Sequence, residues 1–196
     1  MALSNKIRRQ LDGKNPRLTL DLEGMFKKTV PNEALRLEIG QAVIDRILER
    51  TENSNFVRTR GGKSGSAFRY SAAYISSFDF RVYGKSPSRV NLKATGDMLR
   101  ALDITDSGSD SRLGLGFDDL DEANKAHGHI TGNVGKMRDF FGLPESDVKR
   151  IAKNYQERVD DLHAGPIPRE EERRRGESNL GFLLRVLGSE GDPANG

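Results

Sequence analysis

The chain has 196 residues, 32 basic and 29 acidic, and no cysteine, which suits one domain with extended ends and excludes disulfides, thiolate metal sites and cysteine nucleophiles. Hydrophobic residues make up only 35% and mean hydropathy is −0.66, so the core is modest for the length, while near-cancelling charge (net +3) does not force disorder. No apolar run nears the roughly 18 residues of a membrane span and residues 1–22 lack the apolar centre of a signal peptide, so synthesis in the cytoplasm is expected.

Residues 1–16 are polar and basic, with Leu3, Ile7 and Leu11 four apart as on one helix face; they read as a short amphipathic arm or a frayed end. Residues 17–22 alternate Leu18, Leu20 and Leu22 with Arg17, Thr19 and Asp21, a half-buried strand pattern. Asn32 can cap a helix whose apolar face is Leu35, Ile39, Val43, Ile44, Ile47 and Leu48, running to about Thr51. Residues 53–69 are rich in Ser, Gly and Arg and read as a long mobile loop, a kind of segment that is functional or disordered when it interrupts a domain. Alternation of Phe78, Phe80 and Val82 predicts a strand over 78–83, leading to a turn at Gly84-Lys85-Ser86-Pro87.

Val90 and Leu92 then read as a strand end, Thr95 or Gly96 as a helix entry, and Met98, Leu99 and Leu102 as the stripe of one short helix with Asp97 in its first turn, where a carboxylate suits the dipole. Leu102 and Ile104, a turn at Gly108-Ser109-Asp110, and Leu113, Leu115 and Phe117 predict a hairpin. The acidic run 118–126 predicts a helical turn or two, and Gly128, Gly132 and Gly135 a bent loop carrying His127 and His129. Pro144 opens a second long helix to Leu162, with Val148, Ile151, Ala152, Tyr155, Val159 and Leu162 inward. Gly165-Pro166-Ile167-Pro168 breaks it, and beyond a mixed-charge linker Leu180, Phe182, Leu183, Leu184, Val186 and Leu187 form a dense apolar cluster. Such a cluster is too apolar for water and reads as a partner-docking segment, or one that folds back on its own domain.

The expected fold is α+β: a small, mainly antiparallel sheet (17–22, 78–83, 102–105 and 112–117) packed by two long helices (32–51 and 144–162), with extended N- and C-terminal arms. The domain organisation is an arm over 1–16, a core over 17–162 containing the loop 53–69, and a linker with docking segment over 163–196.

Little of the chemistry points to turnover. RGGKSG lacks the first glycine of a phosphate loop, since Val57 stands five positions before Gly62, leaving a flexible basic loop. His127 and His129 lie near Asp118, Asp119, Asp121 and Glu122, which raises a metal-dependent nuclease against a hydrogen-bonding loop pair, but no third ligand has helical spacing to them. Serines and aspartates are scattered without a nucleophile elbow. No enzymatic activity and no cofactor are expected. Charge is segregated more sharply: residues 56–93 hold eight basic residues and one acid, residues 97–122 eight acids and two bases. The alternatives are a solvated surface, opposite faces that meet head to tail in a ring, or a basic loop (Arg58, Arg60, Lys63 and Arg69) lining a channel for DNA.

The order of motifs carries one more reading. Asn91-Leu92, then TGDML (95–99), a hairpin ending in Gly116-Phe117, KAHGHITG (125–132) and RDFFGL (138–143) before a helix resembles the tail-completion or neck proteins of tailed bacteriophages, the phage virion morphogenesis group. The similarity covers roughly residues 70–155 as a shared order of short motifs. It implies a structural role without chemistry: a homo-oligomeric ring, six-fold like the tail tubes, between portal or adaptor and the tail terminator or tail tube, in the virion neck. Genomic DNA would pass through it, and no membrane is involved. The alternative is a nucleic-acid-binding or metal-dependent DNA-processing protein using the Arg-rich loop and His127/His129.

Overall fold

A computed structural model describes residues 4–11, 15–27, 29–56, 69–88, 90–92, 95–105, 109–133 and 137–162. The chain divides into two units, Met1–Leu162 and His163–Gly196, and all described residues lie in the first. The apolar cluster of residues 180–187 and the loop positions Arg58, Arg60 and Lys63 therefore fall outside them.

Four strands, β1 (Ile7–Gln10), β2 (Arg17–Asp21), β3 (Leu102–Thr105) and β4 (Arg112–Phe117), form one sheet in the order β1-β2-β4-β3 with every neighbour antiparallel. The register aligns Ile7 with Leu20 and Leu113, Leu18 with Leu115 and Ile104, and Leu102 with Phe117. Because the side-chain period of a strand is two, this puts the apolar set on one face and Arg8, Thr19 and Asp103 on the other. The fold is thus α+β, built on a small antiparallel sheet with two long helices.

The first long helix, α2 (Glu33–Glu52), starts where Asn32 accepts the amide of Leu35 at 2.9 Å. Its Leu35, Ile39, Val43 and Ile47 are buried at 3% exposure or less. Gly40 marks where α2 comes down on the sheet: a Cβ there would sit 2.6 Å from Ile104 Cδ1 and 3.0 Å from Leu113 Cδ2. The space rather than the helix selects glycine here, since mid-helix glycine costs about 1 kcal/mol relative to alanine. The second, α7 (Glu145–Asp161), packs on α2 and buries Val148, Ile151 and Val159. Asp147 near its start meets Arg46 and Arg50, and Arg158 near its end meets Glu38, so the two helices run antiparallel.

Several expectations are corrected. Residues 7–10 belong to the sheet as β1 instead of a helical or frayed arm: the edge of β2 is open to them, and the Ser4 amide is held by the Leu143 carbonyl at 3.1 Å. Residues 78–83 form no strand. They contain α4 (Phe78–Val82), preceded by α3 (Ala72–Ile75), and only Phe80 of the alternating set is buried. Ser71 and Ser77 each accept the amide three residues on, from Tyr74 and Phe80 at 3.2 Å, and such caps favour helical turns. Leu92 has φ 49°, a left-handed conformation that ends any strand before it. Gly96 (φ 93°) opens the single turn α5 (Asp97–Arg100).

His127, Gly128 and His129, predicted on a bent loop, lie instead in α6 (Leu120–Thr131), which follows the turn α1 (Leu22–Met25) and the elements above in chain order, while Gly135 falls outside the described residues. Asp119 caps it by accepting the Glu122 amide at 2.9 Å, Ala123, Ala126 and Ile130 bury its inner face, and Gly132 ends it at φ 84°. Pro144 stands at the N-cap, one residue before α7, and Leu162 is 45% exposed, not inward.

The RDFFGL run is the seam of the domain. Phe140, Phe141 and Leu143 are buried, and Phe141 packs against Phe117 with ring centroids 5.3 Å apart. Arg9 reaches from the core face of β1 to the buried Asp139 and the Phe141 carbonyl. Burial pushes the Asp139 carboxyl above its usual range, and the Arg9 guanidinium opposes this.

Candidate functional site

The described residues 69–92 wrap an aromatic triangle. Ser71 and Ser77 start α3 and α4 so that the rings of Tyr70, Tyr74 and Phe80 meet with centroids 5.2, 5.4 and 5.6 Å apart, two of the three pairs edge to face, the arrangement that ring quadrupoles favour. Tyr70, only 8% exposed, is the hub. Its hydroxyl accepts the Asn91 amide at 3.3 Å and lies 3.3 Å from Asn91 Oδ1. Lys85 Nζ donates to Asn91 Oδ1 at 3.2 Å and sits 3.4 Å from the Tyr70 hydroxyl.

Two cations address this one ring. Lys85 Nζ is 5.5 Å and the Arg138 guanidinium 5.8 Å from the Tyr70 centroid, both within cation–π range. The Arg138 amide donates to the His129 carbonyl at 2.8 Å, which ties the RDFFGL run to the last turn of α6. Burial lowers the pKa of Lys85 and of Arg138, and the charge of Arg138 lowers that of Lys85 further. The His129 imidazole is pushed down to about 4, first by burial and then by Arg138 and Lys85, so it is neutral at pH 7. Neither Lys85 nor Arg138 has a carboxylate in ion-pair contact among the described residues, and Arg138 Nε and His129 Nδ1 are buried without hydrogen-bond partners.

The remaining charge is placed differently. Arg69 is exposed and adjoins Tyr70 in the chain. In the acidic run, Asp97 pairs with Arg100, Asp110 with Arg36 at 2.7 Å and Glu122 with Lys125, while Asp119 serves as a cap. Asp103, Asp118 and Asp121 stay exposed. His127 and His129 are two apart on a helix, about 200° around its axis, so the structure does not bring them together. No group of three or more His, Asp or Glu side chains converges on a metal-sized space among the described residues. On the open face of the sheet a shallow depression of about 510 Å³ is lined by Lys6, Arg8, Asp21, Glu23 and Arg112, where the two acids offset two of the three bases. A cavity of about 470 Å³ opens beside Asn91, bounded by Tyr83, Gly96, Leu99 and Arg100.

Sequence reasoning counted Lys85 among the basic positions but missed Arg138, His129, Tyr70 and Asn91 as its neighbours. The one available signal was the absence of acids around Lys85, where Asp79 is the sole carboxylate in residues 56–93.

Fold and site define the class: an α+β domain carrying a half-buried cationic and aromatic cluster, in which no described helix is long and apolar enough to cross a membrane. No protein-family model matches the chain, and neither a curated protein nor a solved structure is significantly similar to it.

Proposed function

We propose that this chain is a structural protein of a tailed-phage virion, a neck or tail-completion protein that joins the portal-bearing head to the tail as a homo-oligomeric, six-fold ring. The observation that carries the reading is the motif order from Asn91-Leu92 through TGDML, the hairpin, KAHGHITG and RDFFGL. It is supported by how those runs are used: Leu99, Phe117, Ile130, Phe140 and Phe141 from four of them are buried, so the resemblance falls on residues that hold the domain together rather than on exposed ones free to vary. In this reading the ring touches the portal or adaptor on one side and the tail terminator or tail tube on the other, and performs no turnover.

The test is virion composition and assembly. Tagged chain should co-purify with intact particles and label the head–tail junction in electron micrographs, and loss of the gene should leave filled heads and free tails. Particles that lack the chain and assemble normally without it would overturn the proposal. Metal-dependent cleavage of DNA by the pure protein, lost when His127 and His129 are both replaced, would favour the DNA-processing alternative.

A further inference from the structure

We propose that the Tyr70 cluster is a phosphate-binding site that takes the backbone of a nucleic acid, with Lys85 and Arg138 as the contacting cations and His129 and Asn91 positioning them. The proposal stands on the cluster and not on the neck reading, which particle composition tests separately.

The physical case starts from an imbalance. Lys85 and Arg138 both lie within 6 Å of one ring centroid and are half-buried, yet neither meets a carboxylate among the described residues. Elsewhere this chain does not leave such groups alone: Arg9 has Asp139, and Arg46 and Arg50 share Asp147. Desolvated cations are held where an anion answers them, and two nitrogens of the cluster, Arg138 Nε and His129 Nδ1, are buried without hydrogen-bond partners. An oxyanion with several acceptor oxygens supplies what is missing, and arginine and lysine together are a common pair for phosphate.

The surroundings select a polyanion, and among polyanions a nucleic acid. Residues 56–93, which contribute Tyr70, Lys85 and Asn91, carry a net charge of +7 with Asp79 as their one acid, and a stretch so rich in positive charge draws a chain of negative charge. The acidic run 97–122 of a second copy is a poorer occupant, because Asp97, Asp110, Asp119 and Glu122 already serve local partners. Tyr70, Tyr74 and Phe80 spend their faces and edges on one another, so none of these three rings is open for a base to stack on. Contact is therefore with phosphates, and binding is independent of sequence.

The test is binding of a short random-sequence DNA duplex to the full chain, by fluorescence anisotropy, between about 50 and 200 mM salt. Affinity of the wild type should fall steeply with salt, and K85Q/R138Q should lower the log–log slope by about 1.8, at roughly 0.9 for each phosphate that the variant no longer neutralises. Affinity at low salt should fall at least tenfold. So that misfolding of the variant cannot decide the matter, the wild type is also titrated by NMR with the duplex, with inorganic phosphate and with polyglutamate. The amides of Asn91 and Arg138 should shift with the duplex and, at higher concentration, with phosphate. Equal shifts with polyglutamate would make the occupant an acidic protein and overturn the assignment. So would shifts with phosphate but none with the duplex, or duplex binding that the folded double variant leaves unchanged.

Discussion

Ion pairs join the same two helices at both ends, and comparing the two ends isolates the effect of burial. At one end of the α2–α7 seam Asp147 takes Arg46 Nη2 on Oδ1 at 2.8 Å and Arg50 Nη1 on Oδ2 at 3.0 Å, with the Asp147 and Arg50 side chains 7% and 8% exposed. At the other, Glu38 and Arg158 pair at 2.9 Å in the open. Arg46 has a second carboxylate in Glu49, whereas the described ion pairing of Arg50 is with Asp147 alone. Asp147→Asn keeps the shape but leaves the Arg50 guanidinium desolvated, its pKa already lowered by burial and by the charge of Arg46. Breaking a pair of this kind costs about 3–5 kcal/mol. At about 2–4 °C per kcal/mol for a chain of this size, Tm should fall by roughly 6–20 °C. Urea unfolding followed by far-UV circular dichroism measures the loss directly, and Glu38→Gln should leave the midpoint unchanged. Replacing Arg50 by Met and Asp147 by Leu together should recover much of the loss, because the penalty belongs to the unpaired charge. If Asp147→Asn costs no more than Glu38→Gln, water reaches the pair and the reasoning fails.

Three further outcomes are expected. His129 titrates at about 4 in the folded chain against 6.5 unfolded; the unfolded state binds more protons between those values, so stability is full above pH 6.5 and falls by up to about 3 kcal/mol as pH drops toward 4. His129→Gln should flatten that limb of the stability–pH curve, and an unaltered limb would show that the ring is hydrated. Gly132→Ala should cost about 1 kcal/mol in chemical denaturation, because its φ of 84° is strained for any residue with a Cβ; no loss would mean that the end of α6 rearranges at no cost. Deleting residues 178–196 should leave thermal unfolding of the domain intact and exclude the chain from virions, and a truncated chain that cannot fold would show the segment to be part of the core.

The long helix α2 was legible because its signals agree: Asn32 caps it, and six apolar residues at helical spacing turn out to be those that enter or pack against the core. The hairpin β3–β4 was legible for the same reason at period two. The run 78–83 misled because aromatic alternation is a weak preference that two serine caps and one buried ring, Phe80, outweigh. Glycines at 128 and 132 looked like a loop, yet Gly128 is buried mid-helix and Gly132 ends α6 as its left-handed cap. The histidine pair failed with it, since a spacing of two faces one way only on an extended chain.

By itself, then, the sequence determined the α+β class, the inner face of α2, most of that of α7, the two strands of the β3–β4 hairpin and the excess of positive charge before residue 94, because each is written in the period or composition of a continuous stretch. Tertiary structure alone decided that β1 joins the sheet, that Arg9 finds Asp139 and Asp110 finds Arg36, and that Lys85 and Arg138 share one ring. Whether a charge is answered or left over depends on partners that arrive from distant segments, and the energy at stake is set by burial, which no local pattern encodes.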